Sequence, residues 1–183
     1  MGQAKQRGSL SDRIAQAQKQ DIGSVSMTDP TDTLTGFQQA FLDGLIRPKR
    51  CDLDRDLFVV QDEPAGVHRL TYVRFDKLRV TALGVFVAVE PIKGVACFQL
   101  GYAVPPEYRG HGYASDLVLS ALAEMHNGLG RNGVEKFCIE AVVGEENAVS
   151  RRVAEKIGFG TPKEIIDELS GKSALQYVLQ VTV

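Results

Sequence analysis

One change of period governs what this chain can become. Between Leu57 and Val104 the apolar residues come in short, β-branched runs parted by turn material. After Gly112 they recur every three to four residues instead. A two-residue period makes half-buried strands, and a 3.6-residue period makes amphipathic helices. The boundary is marked by Pro105, Pro106, Gly110 and Gly112. The chain is therefore a strand-rich part joined by one glycine-bearing loop to a part that contains helices.

Within the first part, Leu57–Gln61 reads as a strand and the residues from Asp62 to Gly66 as a turn. Val67–Phe75 alternates as a strand should, Asp76-Lys77 makes a hairpin tip, and Leu78–Val89 is a long β-branched run. Pro91 to Gly94 turn the chain again before a strand over Val95–Val104. Such short connections predict antiparallel neighbours. Ahead of the meander, Phe37, Ala40, Phe41 and Leu45 share one helical face, and Pro48 is the expected stop.

In the second part Ala114, Leu117, Val118, Ala121, Leu122 and Met125 line one face of a helix. Gly128, Gly130 and Gly133 are expected to break it up. Phe137–Val143 reads as a strand. Asn147 opens a second helix with Val149, Val153 and Ile157 inward, and Gly158 stands where a helix-ending glycine belongs. Glu164–Leu169 and Leu175–Val183 are two further apolar stretches around Gly171, expected to close the fold as a hairpin. The layout predicts an α+β (mixed α/β) single domain.

Length and composition set the outer limits. The chain has 183 residues, 44% hydrophobic and 24% charged, which suits one soluble domain and excludes wholesale disorder. No apolar run reaches the roughly 18–20 residues of a membrane-spanning helix, and no apolar leader opens the sequence. The net charge of −2 makes no case for a nucleic-acid partner. Cys51, Cys97 and Cys138 are odd in number and widely spaced, forming neither a zinc pair nor a disulfide framework. No metal is expected, and a cytoplasmic location is. Residues 1–33 lack aromatics and read as a flexible extension, with a short helix around residues 10–20 and the globular domain over 34–183. Lys5, Arg7, Arg13 and Lys19 make the extension basic, as a solubilising tail or as an arm for an acidic partner.

The loop at the period change carries the chemistry. A strand ends, prolines turn the chain, and Arg109-Gly110-His111-Gly112-Tyr113-Ala114 leads into a helix. Successive N–H groups and the positive end of the helix dipole can then face one anion. Gly110 and Gly112 permit positive φ and let a diphosphate approach the backbone. A P-loop is excluded, because no Gly-Lys-Ser/Thr follows. The dinucleotide fingerprint fails too, since Ser115 stands at its third glycine and an antiparallel meander precedes the loop.

This stretch resembles the acetyl-CoA loop of the GNAT N-acetyltransferase superfamily, whose pattern is Arg/Gln-x-x-Gly-x-Gly/Ala in its common Arg-Gly-x-Gly variant. Gly101-Tyr102-Ala103-Val104 upstream strengthens the likeness, as does the segment from Asn147 to Phe159 downstream, with Ser150 and Glu155-Lys156-Ile157-Gly158-Phe159. The latter is similar to the branch that includes ribosomal-protein N-terminal acetyltransferases. The resemblance covers residues 95–159. It implies a central, mostly antiparallel twisted sheet of about six to seven strands flanked by helices. It implies that backbone amides from Arg109 through Gly110, His111, Gly112 and Tyr113 to Ala114 bind the pyrophosphate of acetyl-CoA. The strand around Tyr102, Ala103 and Val104 would splay from its neighbour, pair with the pantetheine arm and supply an oxyanion donor. Asn147 and Ser150 would lie near the pantetheine and the thiol.

The sequence departs from the family at one position. Many members carry a general-acid tyrosine four residues before the glycine of Gly-Phe, and Ala154 stands there. The resemblance makes Ser150 the proton donor to the thiolate, with a bound water as the alternative. The acceptor must be a neutral amine. A lysine amine is only about 0.04% neutral at pH 7, whereas an α-amino group is more than roughly 10% neutral. The carboxylates near the expected centre are Glu140, Glu145 and Glu146, with Glu107 beside the loop, and Glu140 is the chosen base. His111 occupies the variable slot of the loop, while His68 and His126 are isolated. The expected activity is transfer of acetyl from acetyl-CoA to a primary amine, either a small amine or a protein N-terminus, by direct attack in a ternary complex. A CoA-binding regulatory module without catalysis and a transferase of larger acyl groups are the alternatives. The protein is expected to act as a monomer or homodimer, away from membranes.

Overall fold

The structure is a computed structural model that describes residues 30–167 and 170–183. The short helix expected around residues 10–20 lies outside the described residues. Helix α1 (Pro30–Leu42) precedes a meander of β1 (Lys49–Arg50), β2 (Leu57–Asp62), β3 (Arg69–Asp76), β4 (Arg79–Ile92) and β5 (Val95–Ala103). Then come α2 (Tyr113–Arg131), β6 (Lys136–Gly144), α3 (Ala148–Ile157), β7 (Lys163–Ile166) and β8 (Ser173–Thr182). The strands form one sheet in the order β1-β2-β3-β4-β5-β6-β8-β7. Among the described strands only β5 and β6 are parallel, as a strand–helix–strand crossover requires. The eight strands exceed the expected six to seven, because β1 is a two-residue edge with no apolar run to announce it.

Helix α1 begins at Pro30, four residues before the expected start of the domain at residue 34, since a first-turn proline forfeits no helical hydrogen bond. It also ends before Pro48. Gly44 adopts φ 69°. Its N–H reaches Phe41 O at 3.0 Å, and Leu45 N–H reaches Ala40 O at 2.9 Å, a Schellman ending. Leu45 therefore leaves the helical face and stands exposed. The β4–β5 turn is tighter than expected. Pro91 stays within β4, at a bulge that spares it a ladder hydrogen bond, and Lys93-Gly94 alone make the turn. Both of those residues have positive φ, 51° and 77°, as a two-residue hairpin loop demands. Gly128 and Gly130 do not break α2, which runs through both to Arg131. A Cβ on Gly130 would meet the Val183 side chain, so close packing with the final residue accounts for that glycine.

Alternation along the strands sends neighbours to opposite faces. Tyr72 and Ala82 join the large cluster under α2 and α3, with Leu57, Phe86, Leu100, Leu117, Ile139, Ala154 and Tyr177. Val73 and Leu83 join a smaller cluster with Leu34 of α1 and Ala103 of β5. Burying these side chains contributes roughly 1.5–3 kcal/mol each. The two clusters clamp β5 from both sides, and so set the position from which the glycine loop departs.

Candidate functional site

Strands β5 and β6 pair through only three register positions: Cys97 with Cys138, Phe98 with Ile139, and Gln99 with Glu140. Beyond Gln99 the pairing stops, although β5 continues to Ala103 and β6 to Gly144. On its other side β5 remains bonded to β4 up to Ala103. One edge of β5 from Leu100 to Ala103 is therefore without a strand partner among the described residues. A wedge opens there between two strands in the middle of the sheet.

The glycine loop starts at the mouth of this wedge. Its turn and cap bonds use the N–H groups of Tyr108 (to Pro105 O, 2.9 Å), Arg109 (to Pro106 O, 3.3 Å) and Asp116 (to Gly112 O, 3.0 Å). None of those bonds uses the N–H groups of Gly110 through Ser115. The first turn of α2 has no intrahelical acceptors to offer them. Gly110 and Gly112 both have φ 81°, a conformation that L side chains rarely adopt, and no side chain caps the helix at Gly112. Ser115 Oγ donates to Gly112 O at 2.9 Å and steadies the turn. Arg109 Nε donates to Val104 O at 2.9 Å, so this side chain braces the loop. His111 and Tyr113 lie exposed with ring centres 6.2 Å apart, and Tyr108 meets Tyr113 edge-on at 6.0 Å. The result is a row of N–H donors that none of those turn and cap bonds among the described residues uses, with an aromatic rim, suited to an anion carrying a flat ring.

Helix α3 forms the opposite wall. Asn147 caps it by accepting from Ser150 N at 3.0 Å, which leaves the amide nitrogen of Asn147 as its free donor. Half-buried Tyr102 reaches across from β5, and its hydroxyl donates to the backbone carbonyl of Ser150 at 3.4 Å. Burial pushes the Tyr102 phenol above its ordinary value, only partly opposed by that hydrogen bond. Ala154 is buried one turn further along, in the cluster against which Tyr102 packs. Tyr102, Ser150, Asn147 and the glycine loop thus border one wedge. Ala103 points away from it, into the cluster under α1.

Glu140 sits on β6 at the last paired position before the wedge, half-buried, between Ile139 and Ala141 of the helix-covered face. Its side chain therefore points to the opposite face. There Gln176 of β8 donates a hydrogen bond to its carboxylate. The other carboxylates stand elsewhere. Glu107 is exposed and lies 3.4 Å from Arg79, and Glu145 and Glu146 are exposed in the turn before α3. Cys97 and Cys138 are buried, and burial raises both thiols, Cys97 to about 11. Protonated buried thiols make poor nucleophiles. His68 lies 3.6 Å from Glu63, and His126 is exposed. No group of three His, Cys, Asp or Glu among the described residues could hold a metal ion. No helix among them is long and apolar enough to cross a membrane.

Two further residues belong to this site. A Cβ at Gly112 would lie 3.5 Å from Lys156 Nζ, so a cation from α3 stands beside the glycine loop. The spacing of α3 places Lys156 on an exposed face, and nothing in the sequence says which loop that face meets. Gln176 is the other, since its contact with Glu140 depends on β6–β8 pairing across 36 positions of sequence.

The chain matches the acetyltransferase (GNAT) domain family over residues 45–160. It belongs to that family. No curated protein matches its sequence. Among solved structures it is similar to a GNAT-family acetyltransferase from Streptococcus pneumoniae, with 14% identity, 62% of this chain and 66% of that one covered, and a TM-score of 0.50. It is also similar to the ribosomal-protein-S5-alanine acetyltransferase of Vibrio fischeri (16% identity, 62% and 61% covered, TM-score 0.49). A mutant spermidine N-acetyltransferase from Vibrio cholerae gives 19% identity, 61% and 64% covered, and a TM-score of 0.49. These likenesses are of fold. The match spans about three fifths of the Vibrio fischeri chain.

Proposed function

We propose that this protein is an N-acetyltransferase that moves the acetyl group of acetyl-CoA to a primary amine within a ternary complex. The observation that carries this reading is a coincidence of place. The unpaired edge of β5 runs directly into the free N–H groups of the glycine loop. An extended pantetheine arm needs the first, and a diphosphate needs the second. The loop calls for glycine at two places, because Gly110 and Gly112 both have a positive φ of 81° that L side chains rarely adopt. Lys156 adds positive charge beside it. Charge-assisted hydrogen bonds contribute about 1.5–3 kcal/mol each, so several of them hold a nucleotide without a metal.

When bound, acetyl-CoA supplies an activated acyl carbon. Donors for its carbonyl oxygen come from the backbone between Tyr102 and Val104, where charge develops during attack. Glu140 accepts the proton of the attacking amine, directly or through water, and Gln176 fixes the orientation of its carboxylate. Ser150 stands on the first turn of α3, across from β5, where the thiol would lie. A protein N-terminus supplies a neutral nucleophile readily and a small alkylamine needs the base to do so, and acyl groups larger than acetyl remain the alternative. Ala154 favours a second reading, in which CoA binds without turnover.

Calorimetric titration with acetyl-CoA tests the cradle. Saturable binding is expected for the wild type and its loss for Gly110→Val with Gly112→Val. Release of free thiol in the presence of spermidine or an alanine-terminated peptide then tests transfer. A folded protein that binds no acetyl-CoA overturns the reading, and binding without thiol release selects the regulatory alternative.

A further inference from the structure

We propose that the Tyr102 hydroxyl of β5 is the proton donor to the departing CoA thiolate. This inference rests on the transferase reading above. On α3 itself Ala154, one turn after Ser150, is buried and its methyl group offers no proton. Tyr102 approaches the same helix from the facing strand. Its side chain packs against the cluster that contains Ala154, and its oxygen lies 3.4 Å from Ser150 O, one turn before Ala154. The hydroxyl is therefore at the wedge, three residues beyond the last β5–β6 pair at Gln99 and Glu140.

Two features fit this hydroxyl to the task. Its present partner is a carbonyl that already serves the hydrogen-bond ladder of α3, and 3.4 Å is the long limit of such a bond. The proton can thus turn to a better acceptor at little cost. Burial also favours the neutral phenol, which keeps the proton in place at neutral pH. Ser150 donates from an aliphatic hydroxyl, a much weaker acid than a phenol, which makes Tyr102 the better source. In the transfer step the amine nitrogen bonds to the acyl carbon and the C–S bond breaks. The sulfur takes that electron pair and the Tyr102 proton. The proton shed by the amine goes to Glu140 or water, and the phenolate is reprotonated from solvent.

Tyr102→Phe keeps the ring and its packing while removing only the hydroxyl. With acetyl-CoA and whichever of spermidine or the alanine-terminated peptide the wild type acetylates, kcat is expected to fall roughly 10²-fold, within the range for lost proton transfer. The acetyl-CoA dissociation constant should change less than twofold. The alkaline limb of the kcat–pH profile should disappear in Tyr102→Phe and shift to lower pH when fluorotyrosine replaces Tyr102. Ser150→Ala, whatever it does to the rate, should keep the wild-type alkaline limb. Unchanged kcat in Tyr102→Phe overturns the proposal while leaving the transferase reading intact. So does a parallel loss of acetyl-CoA affinity with no change in the pH profile, which would mark a structural role. A wild type that releases no thiol overturns both readings.

Discussion

Glu124 shows how much a single side chain can organise. It projects from α2, is 8% exposed, and accepts from the N–H groups of Asp52 (3.2 Å), Leu53 (2.7 Å) and Asp54 (2.8 Å). One carboxylate thereby fastens the loop between β1 and β2 to the helix. Glu124→Ala strands three donors and is expected to cost about 3 kcal/mol, with Glu124→Gln costing about half. The urea midpoint should fall at unchanged slope. Nearby, Arg74 Nη2 donates to Asp54 Oδ2 at 2.7 Å and to Ser120 Oγ at 2.9 Å. Its Nε lies 2.9 Å from Asp116 Oδ2 without the alignment of a hydrogen bond. The Arg74 hydrogen bond holds the Asp54 carboxyl below its ordinary value, against the opposing effect of burial. A pKa depressed by folding means that the stabilisation is full above the unfolded value and is lost as pH falls through the folded one. The stability gap between wild type and Asp54→Asn should therefore be full at neutral pH and close as pH falls below the ordinary aspartate value of about 3.9. A gap that stays constant would show that the charge is immaterial. At this scale the glycine loop was legible in the sequence, because Gly110 and Gly112 announce their own backbone demands. Glu124 was not, since a carboxylate on an otherwise apolar helix face reveals its three partners only once the loop has folded beneath it.

Elements were legible wherever local chemistry decides them. The alternating run before Asp76 and the helical run after Gly112 kept their types, because period alone selects strand or helix. Endings were harder. The Schellman turn at Gly44 ends α1 earlier than Pro48 would, and the bulge at Pro91 extends β4. Both depend on hydrogen bonds whose partners the sequence does not name. Close approach between elements was likewise hidden. Gly84 of β4 lies beneath α2, and a Cβ there would sit 2.7 Å from Leu117 Cδ2, inside any tolerable contact. Leu117 is fully buried, so it has nowhere to move. Gly84→Ala is expected to cost about 1–3 kcal/mol as overpacking. Adding Leu117→Ala should cost less than the sum of the two single changes. Additive losses in that cycle would show that α2 does not rest on Gly84.

The whole molecule makes the site. The wedge exists because β5 and β6 begin in register and then part, while β5 stays bonded to β4 and β6 to β8. If this opening and the glycine loop form one acetyl-CoA site, the ligand should stabilise the folded chain by mass action. At about 100 times its dissociation constant it should add about 2.7 kcal/mol, a rise of roughly 5–10 °C in Tm for a chain of this size. Pantetheine, which lacks the diphosphate, should give a smaller shift at equal concentration, and equal shifts would detach the loop from the site. The sequence by itself determined the strand-to-helix order, the antiparallel meander and the glycine-dependent turns of the loop. Each of these is written in residues close together, through side-chain period and glycine backbone freedom. Only the tertiary structure decided where β5 and β6 separate, that Tyr102 reaches the first turn of α3, and that Gln176 and Lys156 come to Glu140 and Gly112. Those are meetings of distant segments, and strand register and helix placement set them through a core shared by the entire chain.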